Sequence, residues 1–159
     1  MNIQFSNSSN VPRYDRLAIT NPVTILQDAE WYYGPQQRLL AAYDFNWKNL
    51  GVLDGVSIGI NYQSIVESRN NRGFGRTFRT ERTEKVNIVG YHIDFKKMIK
   101  THILTFGTDG QFNFLKSTAL GRDVKVDTTR AADTRYPDGK NNIFGPLGDL
   151  VLTYSVGAS

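Results

Sequence analysis

The chain has 159 residues, a formal net charge of +4 and no cysteine, which excludes disulfide bridges, zinc–thiolate sites and thiol catalysis. No apolar run approaches the roughly 20 residues of a membrane-spanning helix, and the first residues lack the basic-then-apolar order of a signal peptide. Aromatic residues at 12% and 14 glycines favour strands and turns, so the composition predicts an all-β fold.

Five stretches alternate apolar and polar residues with a period of two, which is typical of strands with two different faces. In chain order they cover residues 38–47, 56–63, 88–95, 104–114 and 149–155. One face is largely apolar and aromatic, and the other carries mostly Asp, Asn, Gln, Ser and Gly. Because few large apolar groups lie on the second face, we expect it to line water rather than to fill a core.

The connections between these stretches differ in length. Short ones fall at about residues 48–55 and 96–101, and long polar ones at about residues 69–82 and 116–144. Short turns at one end and long loops at the other are typical of an antiparallel up-and-down barrel of the outer-membrane type. Several aromatic residues of the apolar face lie near strand ends, where the aromatic girdles of such a barrel meet the bilayer interfaces.

Several segments resemble a known family in their order and spacing. They are Arg13-Tyr14-Asp15-Arg16; AEWYYGPQQRLL at residues 29–40; Glu67-Ser68-Arg69 with Arg72, Phe74-Gly75-Arg76 and Arg82-Thr83-Glu84; Asp94-Phe95-Lys96-Lys97 before His102; Ser117-Thr118-Ala119; and Thr134-Arg135-Tyr136-Pro137-Asp138-Gly139. Together they resemble the barrel of TonB-dependent outer-membrane receptors, particularly those of Bacteroidetes-type bacteria. The resemblance covers roughly residues 13–155.

The resemblance implies a bacterial outer-membrane receptor that imports a scarce nutrient, such as a ferric siderophore, haem, cobalamin or an oligosaccharide. Its implied partners are outer-membrane lipid, a nutrient ligand such as a metal chelate, and the TonB complex, which acts through a plug domain. No plug, TonB box or full set of about 22 strands is present. We therefore expect residues 1–159 to be an internal fragment, a partial transmembrane barrel of about five to seven strands.

One polar segment offers candidate ligand-binding residues. Arginines recur through it, interrupted by phenylalanines and flanked by glutamates, and Tyr136 lies in the next long loop; the candidates are Arg69, Arg72, Arg76, Arg79, Arg82 and Tyr136. Guanidinium groups pair bidentately with carboxylate and phosphate, which favours an extracellular surface for an anionic ligand or lipopolysaccharide phosphate. The alternative is a solvated loop whose arginines pair with the glutamates around it.

Other chemistries have little support in the sequence. Residues 72–75 match half of an RNA-binding signature, but the second half and its helices are lacking, so nucleic acid is not an expected partner. His92 and His102 have no spaced partner, and the aspartates of residues 123–138 lack the spacing of a calcium loop, so no metal is assigned. No catalytic arrangement and no cofactor site can be argued, and we expect no enzyme.

A competing interpretation is a complete soluble barrel of the lipocalin type that binds a small apolar ligand. It places the apolar strand face inside a calyx and the polar face in solvent. Periodicity alone permits this arrangement, whereas the unequal connections and the family resemblance favour the membrane barrel.

Overall fold

The computed structural model describes residues 1–100 and 102–152. Of the chain, 74% is strand and 3% is helix, and the sheets are antiparallel, so the all-β prediction is confirmed. Among the described residues, no helix is long and apolar enough to cross a membrane.

The elements are arranged as one large sheet and a small hairpin. In chain order they are β1 (Asn2–Asn7), β2 (Val11–Pro12), α1 (Tyr14–Leu17), β3 (Thr20–Asn21), β4 (Ile25–Leu26), β5 (Asp28–Tyr33), β6 (Gln37–Leu50), β7 (Leu53–Gly73), β8 (Phe78–Ile99), β9 (His102–Asp123), β10 (Thr129–Ala131) and β11 (Gly139–Leu152). The large sheet has nine strands: six follow the order β1-β6-β7-β8-β9-β10, while β11 also pairs with β9, β5 with β7, and β2 with β5. Within the described residues no barrel is closed, and the predicted strand count of five to seven is not confirmed.

Tight turns join the long strands. Asn49 and Gly51 have positive φ angles of 59° and 60° between β6 and β7, and Lys100 has 55° between β8 and β9. At the opposite end, Gly75 has a φ of 74° in the turn between β7 and β8. This backbone region is open to glycine and tolerated by asparagine, which explains why the chain reverses at these points.

The two faces of the sheet differ as the alternation predicted. We call the side that carries Tyr43, Ile60 and Val89 the apolar face; these side chains lie in one direction across neighbouring strands and are 48%, 60% and 43% exposed. The other side, with Asp44, Gly59 and His92 in register, is the polar face. Neither face is covered, and Val56 is the one buried hydrophobic residue among those described.

The solvent-accessible surface area also shows that the faces of the sheet are uncovered. The chain exposes 11261 Å², whereas a globular protein of 18.0 kDa is expected to expose about 8,000 Å². The sheet is therefore a single layer with no second layer packed on it in the described part of the chain.

Two predicted loops are wrong. The polar segment at residues 69–82 is strand up to Gly73 and again from Phe78, so only four residues form the turn. The segment at residues 116–144 is strand to Asp123 and again from Gly139, with β10 between. Both segments carry few apolar residues, so they lack the regular alternation by which sequence reveals a strand. Of the fifth predicted stretch, residues 149–152 belong to β11, and residues 153–155 lie outside the described residues.

Candidate functional site

The five candidate arginines do not form one loop cluster. Arg69 and Arg72 are on β7, Arg79 and Arg82 are on β8, and Arg76 is in the turn between them. Because side chains alternate along a strand, the four strand arginines divide between the two faces. The structure thus splits the predicted site into two groups with different surroundings.

On the side of the apolar face, beyond its last apolar residues, the arginines form an ion-pair ladder. Its members come from β5, β7, β8, β9 and the turn after β9; they are Glu30, Arg72, Arg79, Glu81, Arg122 and Asp127. Arg72 lies 2.7 Å from Glu30, and Arg79 lies 3.6 Å from Glu30 and 2.6 Å from Glu81. Arg122 continues the ladder, 3.3 Å from Glu81 and 2.8 Å from Asp127.

Charge in the ladder is balanced locally. The hydrogen bond to Glu81 raises the pKa of Arg79, and the hydrogen bond to Asp127 raises the pKa of Arg122. Both guanidinium groups are therefore held charged and engaged with carboxylates. We therefore assign Arg72 and Arg79 a structural role. This role agrees with the alternative interpretation, in which arginines of this segment pair with glutamates.

On the polar side, the arginines contact aromatic rings instead. Trp31 and Tyr33 lie on β5 with ring centroids 4.9 Å apart, at 87° to each other. The guanidinium carbon of Arg13 is 5.0 Å from the Trp31 centroid and 5.6 Å from that of Tyr33. That of Arg69 is 5.4 Å and 5.2 Å from the same two rings, so two cations share one aromatic pair.

Hydrogen bonds fix the Arg13–Arg69 group. Arg13 donates to the Tyr33 hydroxyl at 2.9 Å, and Arg69 donates to it at 3.4 Å. Arg13 is also paired with Asp15 at 2.5 Å, and this hydrogen bond raises the pKa of Arg13 above its usual value. Arg69 has no carboxylate within 4.0 Å among the described residues, and its buried Nε has no hydrogen-bond partner there.

Two further arginines occupy the same side. Arg82 lies directly opposite Arg69 across the β7–β8 ladder, and it donates to Asn71 and to the Asp133 carbonyl, both at 3.2 Å. Arg130 of β10 lies over the Phe78 ring at 3.8 Å, against Gly121. Within the described part of the chain, neither has an ion-pair partner. We call Arg13, Trp31, Tyr33, Arg69, Phe78, Arg82 and Arg130 the arginine–aromatic surface.

A cavity opens beside this surface. Its volume is about 480 Å³, and it is lined by Gly75, Arg76, Thr77, Phe78 and Arg130. Arg76 is thus placed at the cavity rather than in the ladder. Tyr136 lies between β10 and β11 with Arg135 at 4.8 Å from its ring, and no hydrogen bond among the described residues joins Tyr136 to the five candidate arginines.

One acid on the polar side, Asp123, is already used. Asp123, at the end of β9, accepts hydrogen bonds from the main-chain N–H of Lys125 at 2.8 Å and from the Thr77 hydroxyl at 2.9 Å. The first of these is the main cause of its lowered pKa. Asp123 therefore stabilises the turn between β9 and β10 rather than pairing with an arginine of this side. Glu67 and Glu84 lie on the same side of the sheet, two residues from Arg69 and Arg82 along β7 and β8.

The histidines and aspartates assemble no metal site in the described ranges. His92 lies 3.8 Å from Asp44 on the polar face, and His102 begins β9. Among residues 1–100 and 102–152, no group of three or more His, Asp or Glu side chains is arranged to hold a metal ion.

The sequence did not indicate Arg13, Trp31, Tyr33 or Arg130 as site residues. Trp31 and Tyr33 are two residues apart and so share a strand face, which was a usable signal. Periodicity could not predict that β5 pairs with the end of β7. The two segments are some 40 residues apart in the chain, and the residues that pair are mostly polar.

Comparison with known proteins adds no assignment. No protein-family model, no curated protein and no solved structure matches the chain.

Proposed function

We propose that this chain is part of the wall of a bacterial outer-membrane β-barrel, with its apolar face in lipid and its polar face towards the lumen. We further propose that the barrel is that of a TonB-dependent receptor that imports a scarce nutrient. The observation that carries the membrane proposal is the uncovered single-layer sheet, whose exposed apolar side chains are arranged as one band across neighbouring strands.

The height of that band suits a bilayer. On β6 the apolar face runs from Leu39 to Trp47. Nine strand residues at about 3.3 Å each, tilted by roughly 40°, span about 23 Å, close to the apolar band of about 25 Å in outer-membrane barrels. Beyond the band the same side of the sheet carries the ion-pair ladder, as expected for strands that continue into water.

Aromatic rings lie along both edges of the band. At the end with the short turns, four neighbouring strands carry a row of cross-strand partners: Trp47, Val56, Phe95 and Phe106. The rings of Phe95 and Phe106 are stacked, with their centroids 5.2 Å apart. At the other edge are Tyr62 and Phe112, which flank Val89. Tyrosine and tryptophan prefer the membrane–water interface, so this arrangement supports a lipid-facing band.

The receptor part of the proposal has a different basis. It depends on the resemblance of residues 13–155 to TonB-dependent receptors and is supported by the basic surface on the lumen side. Such a sheet must pair its edge groups in lipid, so the proposal requires further strands beside β1 and β11, which must come from copies of this chain paired edge to edge when it is reconstituted alone. The plug and TonB contacts would belong to those other parts of the receptor.

The two tryptophans allow a direct test, because they lie on opposite faces. Trp47 is on the apolar face at the band edge, and Trp31 is on the polar face beyond the band. We would reconstitute the variants Trp31→Phe and Trp47→Phe in phosphatidylcholine vesicles that contain lipids brominated along the acyl chain. We expect bromine to quench the remaining Trp47 strongly and the remaining Trp31 weakly.

Two outcomes would contradict the membrane proposal. Equal quenching of the two variants would mean that the apolar face is not the lipid face. A cooperative, soluble monomer in plain buffer, with neither tryptophan quenched, would instead favour the closed barrel that binds a small apolar ligand.

A further inference from the structure

We infer that the arginine–aromatic surface is a binding site for a small polyanion, whose carboxylate or phosphate groups pair with Arg69, Arg82 and Arg130. The inference deepens the proposed function and rests on it in taking the polar face as the ligand side. It narrows the predicted arginine candidates to one side of the sheet and adds Arg13 and Arg130.

The first argument is the unequal charge of the two sides. Every ladder arginine lies within 4.0 Å of a carboxylate. On the polar side, Arg69, Arg82 and Arg130 have no carboxylate within 4.0 Å among the described residues, although Glu67 and Glu84 lie two residues from Arg69 and Arg82 on the same side of the sheet, and Glu67 pairs with Arg38. Because positive charges without a carboxylate partner attract anions, these three arginines favour a negatively charged ligand.

The second argument is that two of these cations oppose each other. Arg69 and Arg82 are direct cross-strand partners, a placement in which like charges repel. Burial leaves the Nε of Arg69 without a hydrogen-bond acceptor. An oxyanion between the two guanidinium groups would relieve the repulsion and accept that N–H, since arginine binds carboxylate and phosphate through paired donors.

The third argument is preorganisation. Trp31 and Tyr33 hold Arg69, and Phe78 holds Arg130 at 3.8 Å, so these two long side chains are fixed by rings rather than by acids. Arg13 contacts the same two rings but is also paired with Asp15. Ring contacts orient a guanidinium group without neutralising it. The cavity of about 480 Å³ beside Phe78 and Arg130 gives a ligand of several heavy atoms room to enter.

Trp31 lies inside this surface and reports on it. We would titrate the Trp47→Phe chain, in detergent, with citrate as a polycarboxylate and with pyrophosphate as a polyphosphate, at an ionic strength held constant with sodium chloride. Glycerol is the neutral control. We expect a saturable change in Trp31 emission, confirmed by calorimetry, and whichever probe binds more tightly distinguishes a carboxylate site from a phosphate site.

Substitutions then locate the binding. We expect Arg69→Gln to weaken it about tenfold or more, as loss of a charge-assisted pair implies, and Arg69→Lys to recover only part of the affinity. Arg130→Gln, away from the β5–β7 contact, gives an independent reading if Arg69→Gln perturbs folding. Arg122→Gln removes the same charge from the opposite side and should leave binding unchanged.

The inference is overturned if neither probe saturates, or if Arg122→Gln weakens binding as much as the variants Arg69→Gln and Arg130→Gln. Its failure is distinguishable from that of the proposed function, because insertion is read separately from Trp47. Quenching of Trp47 without anion binding would contradict the anion site and support the membrane proposal. Anion binding without quenching of Trp47 would support the anion site and contradict the membrane proposal.

Discussion

Gly107 lies where the β8 and β9 backbones approach too closely for any side chain. A Cβ on this residue would be 2.2 Å from the Ile93 carbonyl oxygen and 3.0 Å from the Asp94 Cα, both backbone atoms that cannot rotate away. We therefore expect Gly107→Ala to force the strands apart and destabilise the fold by about 1–3 kcal/mol, as overpacking does. Urea unfolding in detergent, followed by circular dichroism, measures the loss.

Gly55 is the matched control for this substitution. A Cβ there would meet Lys96 at 3.6 Å and the Trp47 carbonyl at 3.7 Å, which are ordinary contact distances. Gly55→Ala should leave the unfolding midpoint nearly unchanged. Equal midpoints for both alanine variants would mean that the β8–β9 backbones are further apart than described.

Asp123 gives the fold a dependence on acidic pH. Its folded pKa is lowered chiefly by the Lys125 N–H, and also by the Thr77 hydroxyl. A lowered folded pKa stabilises the protein fully above the unfolded value of about 3.9 and ceases to do so as the pH falls through the folded value. We expect Asp123→Asn to lower the melting temperature at pH 6 and to have little effect near pH 2.

The comparison for Asp123 is Asp133, whose main-chain carbonyl, rather than its carboxylate, accepts the hydrogen bond of Arg82. Asp133→Asn should therefore melt like the original chain from pH 2 to pH 6. If Asp123→Asn lowers the melting temperature equally at both ends of that range, the carboxylate charge is not what stabilises the turn.

At the scale of elements, the ion-pair ladder joins β5, β7, β8 and β9. Glu81 is its centre, 2.6 Å from Arg79 and 3.3 Å from Arg122, and its side chain is 23% exposed. Glu81→Gln leaves Arg79 partly buried with a weakened partner set. We expect a loss of about 1 kcal/mol in unfolding free energy, with faster hydrogen exchange along β5 and the adjoining end of β7.

Glu67 provides the contrasting case. It pairs with Arg38 at 3.3 Å, and both side chains are about half exposed. It also lies opposite Glu84 in the pairing of β7 with β8. Removing its charge also removes the repulsion with Glu84, so Glu67→Gln should leave the free energy of unfolding unchanged. Identical losses for the two glutamine variants would indicate a general charge effect rather than a specific ladder.

Alternation revealed the strands where their faces differ and failed where they do not. Tyr43, Ile60 and Val89 mark one face by chemistry alone, so that register was predictable. Past Val66 and Lys85 both faces become polar, and the strands persist because backbone pairing and the ladder hold them. The division of the arginines between the two faces follows from alternation once residues 69–82 are known to be mostly strand, which the sequence does not show where the apolar residues of one face end.

For the whole molecule, the question is what covers the apolar face. A soluble sheet of this kind would have to bury its band against a second layer, whereas a membrane wall leaves the band to lipid. The two cases respond oppositely to a charge at the middle of the band. Ile60, 60% exposed with Tyr43 and Tyr91 as its cross-strand neighbours, occupies that middle.

We expect Ile60→Arg to abolish insertion into vesicles, because an arginine at the bilayer midplane of a barrel costs about 2–4 kcal/mol. Gln63→Arg, three residues along the same strand and on the polar face, adds the same charge and should insert normally. Co-flotation of each variant with vesicles in a density gradient, with protease protection, measures the difference. If both variants float equally, the apolar face does not meet lipid; if Ile60→Arg alone is lost from the vesicle fraction, it is this band of the sheet that the bilayer solvates.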